Sequence, residues 1–423
     1  MHRHSPRVLL TSFSMIVLAA APPAAFGQTS VVHKAASRAG SEKGRRSAAT
    51  RSALRDTLQA ILDRGVADSA FPGAIVVVGD RAGALATAAA GHLDWAPSPV
   101  PDDRTLWDLA SLTKVVGMTS AMMQLVEQGK VKLDAPVQRY LPEWQGKNKE
   151  KVTVRDLITH RSGLPAFKTY YKLNVSPDST LKLFFATPLD TLPGVRMVYS
   201  DIGAILLGKI VERVSGESLD RYLARHVFGP LRMTDTQYRP DSSLLPRIAP
   251  TEVDPWRGRL IRGEVHDENA YALGGVSAHA GLFSTAHDLT RLARAYLDGG
   301  VLDGARFAKA ATIRQFTTVQ DSTFSSRALG WDTPSEHSSA GHFLERPAFG
   351  HTGFTGTSIW IAPQHDLYVI LLTNRVNPTR EHSRVGPVRV AVADAAMRAL
   401  YPSVVAAIEA RMASSSSPPP ARP

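Results

Sequence analysis

The chain of 423 residues contains no cysteine. This absence excludes disulfide bonds, thiol nucleophiles and a lipid-modified N-terminal cysteine. It is compatible with an oxidising compartment without requiring one. Two catalytic signatures are also missing. No Gly-x-Ser-x-Gly occurs, which removes the simplest α/β-hydrolase. No His-Glu-x-x-His occurs, and the run at 266–268 (His-Asp-Glu) has no second ligand at metal-binding spacing, so we expect neither a metal nor a cofactor.

The overall composition is that of an ordinary globular protein. Hydrophobic residues make up 43% of the chain and charged residues 21%, so we expect a sizeable core. The formal net charge is +11, but most of the excess lies before residue 52. No fold or aromatic pattern supports nucleic-acid binding. The sequence has no internal repeats and no sign of a second domain.

The N-terminus has the pattern of a secretory signal peptide. A basic lead is followed by an apolar run at 8–21 and by Ala25-Phe26-Gly27, a small-x-small cleavage site. We therefore expect a signal peptide at 1–27 and a periplasmic or secreted mature protein. Residues 28–51 form a basic linker predicted to be disordered, with at most a weak contact to an anionic surface. A single enzyme-sized domain at 52–403 and a C-terminal tail at 404–423, whose last part at 414–423 is rich in Ser and Pro, complete the predicted organisation.

The most informative motif is a serine followed three residues later by a lysine. Ser111 and Lys114 stand at the start of an apolar helical run, so their side chains fall on one helix face. A neighbouring base is what makes a serine hydroxyl nucleophilic. A second match, Ser179 with Lys182, reads as a capped helix start with a solvated lysine. Ser111 could also be a helix N-cap. Catalytic partners elsewhere in the sequence are needed to distinguish a nucleophile from a cap.

Two downstream segments provide such partners. Tyr199-Ser200-Asp201 precedes an apolar helix, and His351-Thr352-Gly353 precedes a strand-like run. A lone tyrosine is more often a packing residue, and a lone histidine is more often a loop residue. The order Ser-x-x-Lys, Tyr-Ser-Asp, His-Thr-Gly is a much rarer coincidence and favours a serine acyl-transfer site.

With these motifs the chain resembles the serine β-lactamase and penicillin-binding-protein superfamily. It is most similar to the branch of class C β-lactamases, D-alanyl-D-alanine carboxypeptidases and esterases, which carries Ser-x-x-Lys, Tyr-x-Asn and Lys-Thr-Gly or His-Thr-Gly. The resemblance runs over about residues 53–401, and residues 265–281 look closest to the penicillin-binding-protein-4B-like carboxypeptidases.

The element pattern predicts an α+β fold of the β-lactamase/transpeptidase-like type. Strand signals occur at 73–79 and 84–90 and return at 358–361 and 367–372, around a mainly helical middle. We expect an antiparallel sheet flanked by helices, with an inserted all-α lobe and an active site in the cleft between them.

The resemblance implies a role for each motif residue. Ser111 would attack a carbonyl, with Lys114 and Tyr199 handling its proton and water hydrolysing the acyl-enzyme. The backbone N–H groups of Ser111 and Phe354 would form the oxyanion hole. The remaining motif residues would bind substrate: Asp201, His351, Thr352 and Gly353.

Two motif positions depart from the β-lactamase pattern. His351 replaces a lysine, and Asp201 replaces an asparagine. An anion at 201 should pair with Lys114, raise its pKa and move the base role to Tyr199. It should also repel a substrate carboxylate, which favours a less anionic ester or peptide.

The substrate is a small molecule or a peptide: a D-alanyl peptide, a β-lactam or an ester. The sequence leaves open a D-alanyl-D-alanine carboxypeptidase, an esterase, transesterase or D-amino-acid peptidase, and a class C-type β-lactamase. A non-catalytic sensor of β-lactams or wall peptides would be expected to lack a motif, and none is lost here. His160 and His279 lie inside family-like stretches and could support loops near the site, but we expect core or loop packing as their role.

Overall fold

The structure, a computed structural model, describes residues 47–336 and 338–415, which fall within a single compact unit. The predicted signal peptide and most of the predicted linker lie outside the described residues. The helices are α1 (Ala48–Ala67), α2 (Ser120–Glu127), α3 (Val154–Ile158), α4 (Pro177–Ala186), α5 (Asp201–Ser215), α6 (Leu219–Leu223), α7 (Glu268–Ala272), α8 (Ala286–Leu297), α9 (Ala310–Thr317), α10 (Val385–Leu400) and α11 (Pro402–Ser415). The strands are β1 (Gly73–Asp80), β2 (Gly83–Gly91), β3 (Trp107–Asp108), β4 (Gln237–Tyr238), β5 (Val253–Asp254), β6 (Arg259–Leu260), β7 (Leu282–Ser284), β8 (Val301–Leu302), β9 (Ala305–Arg306), β10 (Phe349–Thr352), β11 (Ser358–Ala362) and β12 (Leu367–Thr373).

The main sheet has five antiparallel strands in the order β10-β11-β12-β1-β2. Every residue of β1 and β12 is buried, because helices cover both faces of the sheet. Side chains alternate between the faces: Val76 packs in one hydrophobic cluster with α1 and α10, and Val77 packs in another with α8. The predicted antiparallel sheet flanked by helices is confirmed.

The region between β2 and β10 is mainly helical, as predicted, but it is not purely so. The short strands β3, β7 and β4 form a second, three-stranded sheet within it. The apolar run after Ser111 begins with a π-helical segment, Lys114–Thr119, and continues directly as α2. The buried faces of α2 and α5 share one core cluster, which fixes the elements carrying Lys114 and Asp201.

Helices at both ends of the described chain extend beyond the predicted domain limits. The first helix begins at Ala48, inside the predicted linker, with the Ser47 hydroxyl accepting the N–H of Thr50. Its first turns are exposed, so no apolar periodicity marked them. The last helix, α11, runs into the predicted tail because Val405 and Ile408 join the core. Among the described residues, no single helix is long and apolar enough to cross a bilayer; the α10–α11 pair, bent by 117°, meets that test only when joined.

Candidate active site

Ser111 lies three residues after β3, on a turn held by a buried carboxylate. The Asp108 side chain accepts the backbone N–H of Ala110 at 2.8 Å and that of His266 at 2.7 Å. Burial raises the pKa of Asp108, and these two donors oppose that effect. Ala110 has φ +45°, a left-handed conformation that is strained for a residue with a side chain. Such strain directly before a reactive residue is typical of functional sites.

Lys114 is buried against Ser111 and an acid. Its Nζ donates to Ser111 Oγ at 3.0 Å and to the His279 carbonyl at 2.9 Å, and it lies 2.7 Å from Asp201 Oδ1. Burial alone would lower the pKa of Lys114, but Asp201 and Tyr199 outweigh it and raise the pKa to about 12. The structure therefore contains the predicted ion pair, and Lys114 is a cation at neutral pH.

Tyr199 is held beside Lys114 by a histidine. The carbonyl of His160 accepts the N–H of Val198 at 2.8 Å, and its Nδ1 accepts the N–H of Ser200 at 3.1 Å. The rings of His160 and Tyr199 lie 4.5 Å apart, and Lys114 Nζ lies 5.0 Å from the centre of the Tyr199 ring. His160 itself has φ +59° and is buried. The sequence favours a packing role for this histidine and leaves open that it supports a loop near the site; in the structure its two hydrogen bonds hold the segment that carries Tyr199.

The turn after β10 is joined to the segment that carries Ser111. Thr355 Oγ1 donates to the carbonyl of Asp108 at 2.7 Å, and Thr357 Oγ1 donates to that of Leu109 at 3.0 Å. Gly353 lies so close to this segment that a Cβ there would sit 2.4 Å from the Leu109 oxygen. The turn can therefore approach the nucleophile only with glycine at 353.

His351 is a neutral hydrogen-bond acceptor in this arrangement. Its side chain is buried, and Nδ1 donates to the carbonyl of Thr352 at 2.8 Å. The proton on Nδ1 leaves Nε2 as an acceptor, and Nε2 is buried with no hydrogen-bond partner among the described residues. Burial, together with Arg327 and Lys114, lowers the pKa of His351 well below 6.5. His351 therefore supplies no positive charge.

The two predicted oxyanion donors are unengaged. Within the described chain, the backbone N–H groups of Ser111 and Phe354 donate to no protein acceptor. The Phe354 ring is half exposed and lies on the ring of His266, at a centroid distance of 5.7 Å, with the Arg375 guanidinium 4.4 Å from its centre. Both N–H groups are thus available to an external oxygen.

Arg327 is a further cation at the site, and no sequence motif indicates it. Its guanidinium lies 5.1 Å from the centre of the Tyr199 ring, and its side chain is only 14% exposed. The nearest carboxylate is that of Asp332, at 3.7 Å from Nη2, and Nη1 is buried with no partner among residues 47–336 and 338–415. After burial, Arg327 is the strongest influence lowering the pKa values of His160 and His351.

His279 holds Lys114 from the other side. Its carbonyl accepts the hydrogen bond from Lys114 Nζ. Its ring contacts the Asp267 carboxylate through Nε2 at 2.8 Å, and its Nδ1 lies 2.7 Å from Ser277 Oγ. Burial tends to raise the pKa of Asp267, but His279 and Lys114 outweigh it and lower that pKa strongly. The 265–281 stretch therefore contacts Lys114 through the His279 carbonyl, and the His279 ring is held in place by Asp267 and Ser277.

The candidate active site is identified by the clustering of the predicted residues and not by the size of a cavity. A cavity of about 560 Å³ is lined by Tyr171, Trp256 and Tyr271, and none of the predicted site residues lines it. Among the described residues, no group of three or more His, Asp or Glu side chains could hold a metal ion.

Comparison with known proteins agrees with the geometry. The family model described as Beta-lactamase matches residues 58–394. A curated relative from Salmonella agona (strain SL483), named "Putative D-alanyl-D-alanine carboxypeptidase", is 34% identical over 315 residues, which cover 67% of this chain and 72% of that one.

Solved structures share the fold at lower identity. A penicillin-binding-protein homologue from Caulobacter crescentus has a TM-score of 0.67 and 21% identity, with 82% of this chain and 98% of that chain covered. Simvastatin synthase from Aspergillus terreus has a TM-score of 0.64 and 21% identity, with coverages of 82% and 95%. At this identity these likenesses show the fold alone.

Proposed function

Because this chain belongs to the serine β-lactamase and penicillin-binding-protein superfamily, we propose that it releases the C-terminal residue of D-alanyl-D-alanine peptides through an acyl-Ser111 intermediate. As a member it is a serine hydrolase acting on amide or ester bonds. The finer assignment of substrate, residue roles and cell compartment is the proposal.

The first step is nucleophilic attack by Ser111 on the penultimate carbonyl. Its hydroxyl proton cannot go to Lys114, which is already protonated, so Tyr199 takes it in the phenolate form, whose negative charge is balanced by the Lys114 cation beside the ring. Lys114 stays charged and orients Ser111 Oγ at 3.0 Å. The N–H groups of Ser111 and Phe354 bind the developing oxyanion, each contributing about 2.7–4 kcal/mol. The proton then passes to the leaving amine, and a water hydrolyses the ester.

The observation that carries the proposal is the free, buried Nη1 of Arg327 beside His351. A D-alanyl-D-alanine peptide ends in a carboxylate, and neutral His351 offers that group no positive charge. The charge of Asp201 is balanced by Lys114 at 2.7 Å, and Arg327 meets the Asp332 carboxylate only through Nη2, at 3.7 Å, so Nη1 has no acceptor among the described residues. A guanidinium suits carboxylate recognition by geometry and charge.

The predicted signal peptide completes the proposal. An enzyme acting on wall peptides meets its substrate outside the cytoplasm, so we propose a periplasmic or secreted mature protein. N-terminal sequencing of the protein recovered outside the cytoplasm should begin after Gly27; an intact N-terminus in the cytoplasm would contradict this.

The decisive experiment compares three substrates. We expect release of D-alanine from diacetyl-L-Lys-D-Ala-D-Ala, much slower cleavage of the same peptide with a C-terminal amide, and no release by Ser111→Ala. Arg327→Met should raise KM for the free-acid peptide about 10- to 100-fold, the effect of losing a hydrogen bond to a charged group. It should leave hydrolysis of p-nitrophenyl acetate nearly unchanged. The exposed Arg314→Met serves as the matched control.

Two results would redirect the assignment. Equal rates on the acid and the amide, with faster ester hydrolysis, would favour an esterase. Labelling of wild type but not of Ser111→Ala by a fluorescent penicillin, without peptide cleavage, would leave only β-lactam recognition.

A further inference from the structure

Arg389 on α10 is a cation without an acid. Arg389 is half-buried and its Nε is fully buried; desolvation together with Arg375 lowers its pKa to about 10. No carboxylate of the described residues forms an ion pair with it, and its Nε has no hydrogen-bond partner there. A partly buried charge without a counter-charge is costly to the fold, so an arginine at this position calls for an explanation beyond packing.

The guanidinium is directed at the turn that carries Phe354. Arg389 Nη2 donates to the carbonyl of Gly353 at 2.7 Å and to that of Thr357 at 2.9 Å. The Gly353 carbonyl and the Phe354 N–H belong to one peptide group. The arginine therefore touches the oxygen end of the amide whose N–H is the proposed oxyanion donor.

The carbonyls of Gly353 and Thr357 each accept a backbone hydrogen bond besides the one from Arg389. The N–H of Gly356 already donates to the Gly353 carbonyl at 3.1 Å, and the N–H of Gly353 donates to that of Thr357 at 2.7 Å. Arg389 thus adds a charged donor to a turn that is closed without it. Removing the side chain would leave neither carbonyl unpaired, so the turn should survive its loss.

We propose that Arg389 is a positioning residue that strengthens the oxyanion hole by polarising the Gly353–Phe354 peptide group. A charged donor on a carbonyl draws electron density toward the oxygen and makes the N–H of the same amide a better donor. Coupled hydrogen bonds strengthen one another by about 10–30%. The effect is largest when the bound oxygen carries negative charge, that is, in the transition state. The inference rests on the proposed oxyanion hole but not on the identity of the leaving group.

The test measures ester turnover and a tetrahedral mimic together. For Arg389→Met we expect kcat/KM on p-nitrophenyl acetate to fall about 2- to 8-fold, the effect of weakening one oxyanion donor by 10–30%, less than the 10²–10³ that loss of a whole donor costs. The Kd of phenylboronic acid, whose adduct with Ser111 mimics the tetrahedral oxyanion, should rise by a similar factor while KM changes little. Arg389→Lys keeps the charge with a single-point donor and should recover part of both losses.

A matched control lies on the same helix end. Arg384 also donates to a backbone carbonyl, that of Asp68, on the exposed surface, so Arg384→Met should leave both readouts unchanged. An infrared spectrum adds an independent readout: in an acyl-enzyme of Arg389→Met, the ester carbonyl band should move to higher wavenumber because its hydrogen bonds weaken.

Three outcomes would overturn the inference. Unchanged boronate affinity in Arg389→Met would show that the arginine does not act on the oxyanion site. If KM of Arg389→Met rose by the same factor as the Kd of the boronate and the infrared band did not move, Arg389 would have a structural role. If kcat/KM and boronate affinity fell as far in Arg389→Lys as in Arg389→Met, the positive charge would be excluded as the cause. If wild type hydrolyses neither peptide nor ester yet binds the boronate, the proposed function fails while the boronate comparison still decides the role of Arg389.

Discussion

Asp201 changes the chemistry of the lysine beside it. An asparagine at this position, usual in the family that the chain resembles, would leave Lys114 without a counter-charge. Here the carboxylate lies 2.7 Å from Nζ and holds the lysine protonated. The sequence predicted this pairing but also predicted that Asp201 would repel a substrate carboxylate. Arg327, which no motif indicated, weighs against that second expectation because its guanidinium lies beside the Tyr199 ring and its Nη1 has no acceptor among the described residues.

Replacing this acid should move the alkaline limit of activity. The raised pKa of Lys114 means that the cation persists up to about pH 12. In Asp201→Asn, burial acts unopposed by the carboxylate, so the pKa of Lys114 falls and the cation is lost at lower pH. The pH profile of kcat/KM should show an alkaline limb shifted downward by one pH unit or more. The exposed Asp63→Asn is the control, and an unmoved limb in Asp201→Asn would mean that the charge of Lys114 does not govern the rate.

The sequence predicted regular elements well and irregular ones poorly. β1 and β12 are continuous apolar runs, and α5 follows a serine cap, so their patterns identify them directly. The π-helical start at Lys114 has no such signature, because local propensity does not distinguish a π segment from an α-helix. Arg327 lies in a long connection without regular structure, where no periodicity relates sequence to position.

The loop after β12 is held by a buried acid, Glu252. The Glu252 carboxylate accepts from Arg380 Nε at 2.6 Å and contacts His266 Nε2 at 2.8 Å, and Arg380 pairs with Glu268 at 2.8 Å. This network joins the loop after β12 to the segment leading into α7. Burial raises the pKa of Glu252, but His266 and Arg380 outweigh it and lower the pKa to about 2.

The lowered pKa predicts an acid-dependent loss of stability. Because the folded-state value lies below the ordinary 4.5, the stabilisation is complete above pH 4.5 and disappears as the pH falls toward 2. Glu252→Gln should lower the free energy of unfolding on the order of 2 kcal/mol at pH 7, and the difference should shrink at pH 3. Urea unfolding at both pH values measures it. Glu345→Gln, which removes an exposed ion pair, should have little effect at either pH; an equal loss at pH 7 and pH 3 would contradict the account.

At the scale of the molecule, two large hydrophobic clusters lie on opposite faces of the main sheet. The cluster formed by α1, α10, α11 and one sheet face contains no predicted site residue. The sequence predicted the sheet and its helices but placed most of α11 in the C-terminal tail, because the two buried side chains of this alanine-rich helix, Val405 and Ile408, form too weak a pattern. The joining of distant motifs into one site could be expected only from the resemblance, since spacing alone does not bring Ser111, Tyr199 and His351 together.

A substitution in α11 should therefore separate stability from catalysis. Ile408→Ala should lower the free energy of unfolding by about 2–4 kcal/mol, the usual cost of truncating a buried isoleucine. It should leave kcat on p-nitrophenyl acetate unchanged at 25 °C. Thermal unfolding and steady-state kinetics measure the two effects. Met412→Ala, on the exposed side of the same helix, should change neither, and a fall in kcat for Ile408→Ala would show coupling between this helix and the site.

The pairing of β1 with β12 constrains when an active enzyme can exist. Ala74 faces Thr373 across the middle of the sheet, so the two central strands come from opposite ends of the domain. Contacts of such long sequence separation form late, because the intervening chain must be closed into a loop first. A chain leaving the ribosome or an export channel can build local helices early, but it cannot close the sheet until β12 has emerged. Hydrolytic activity should therefore appear abruptly, with the last strand, rather than grow with chain length.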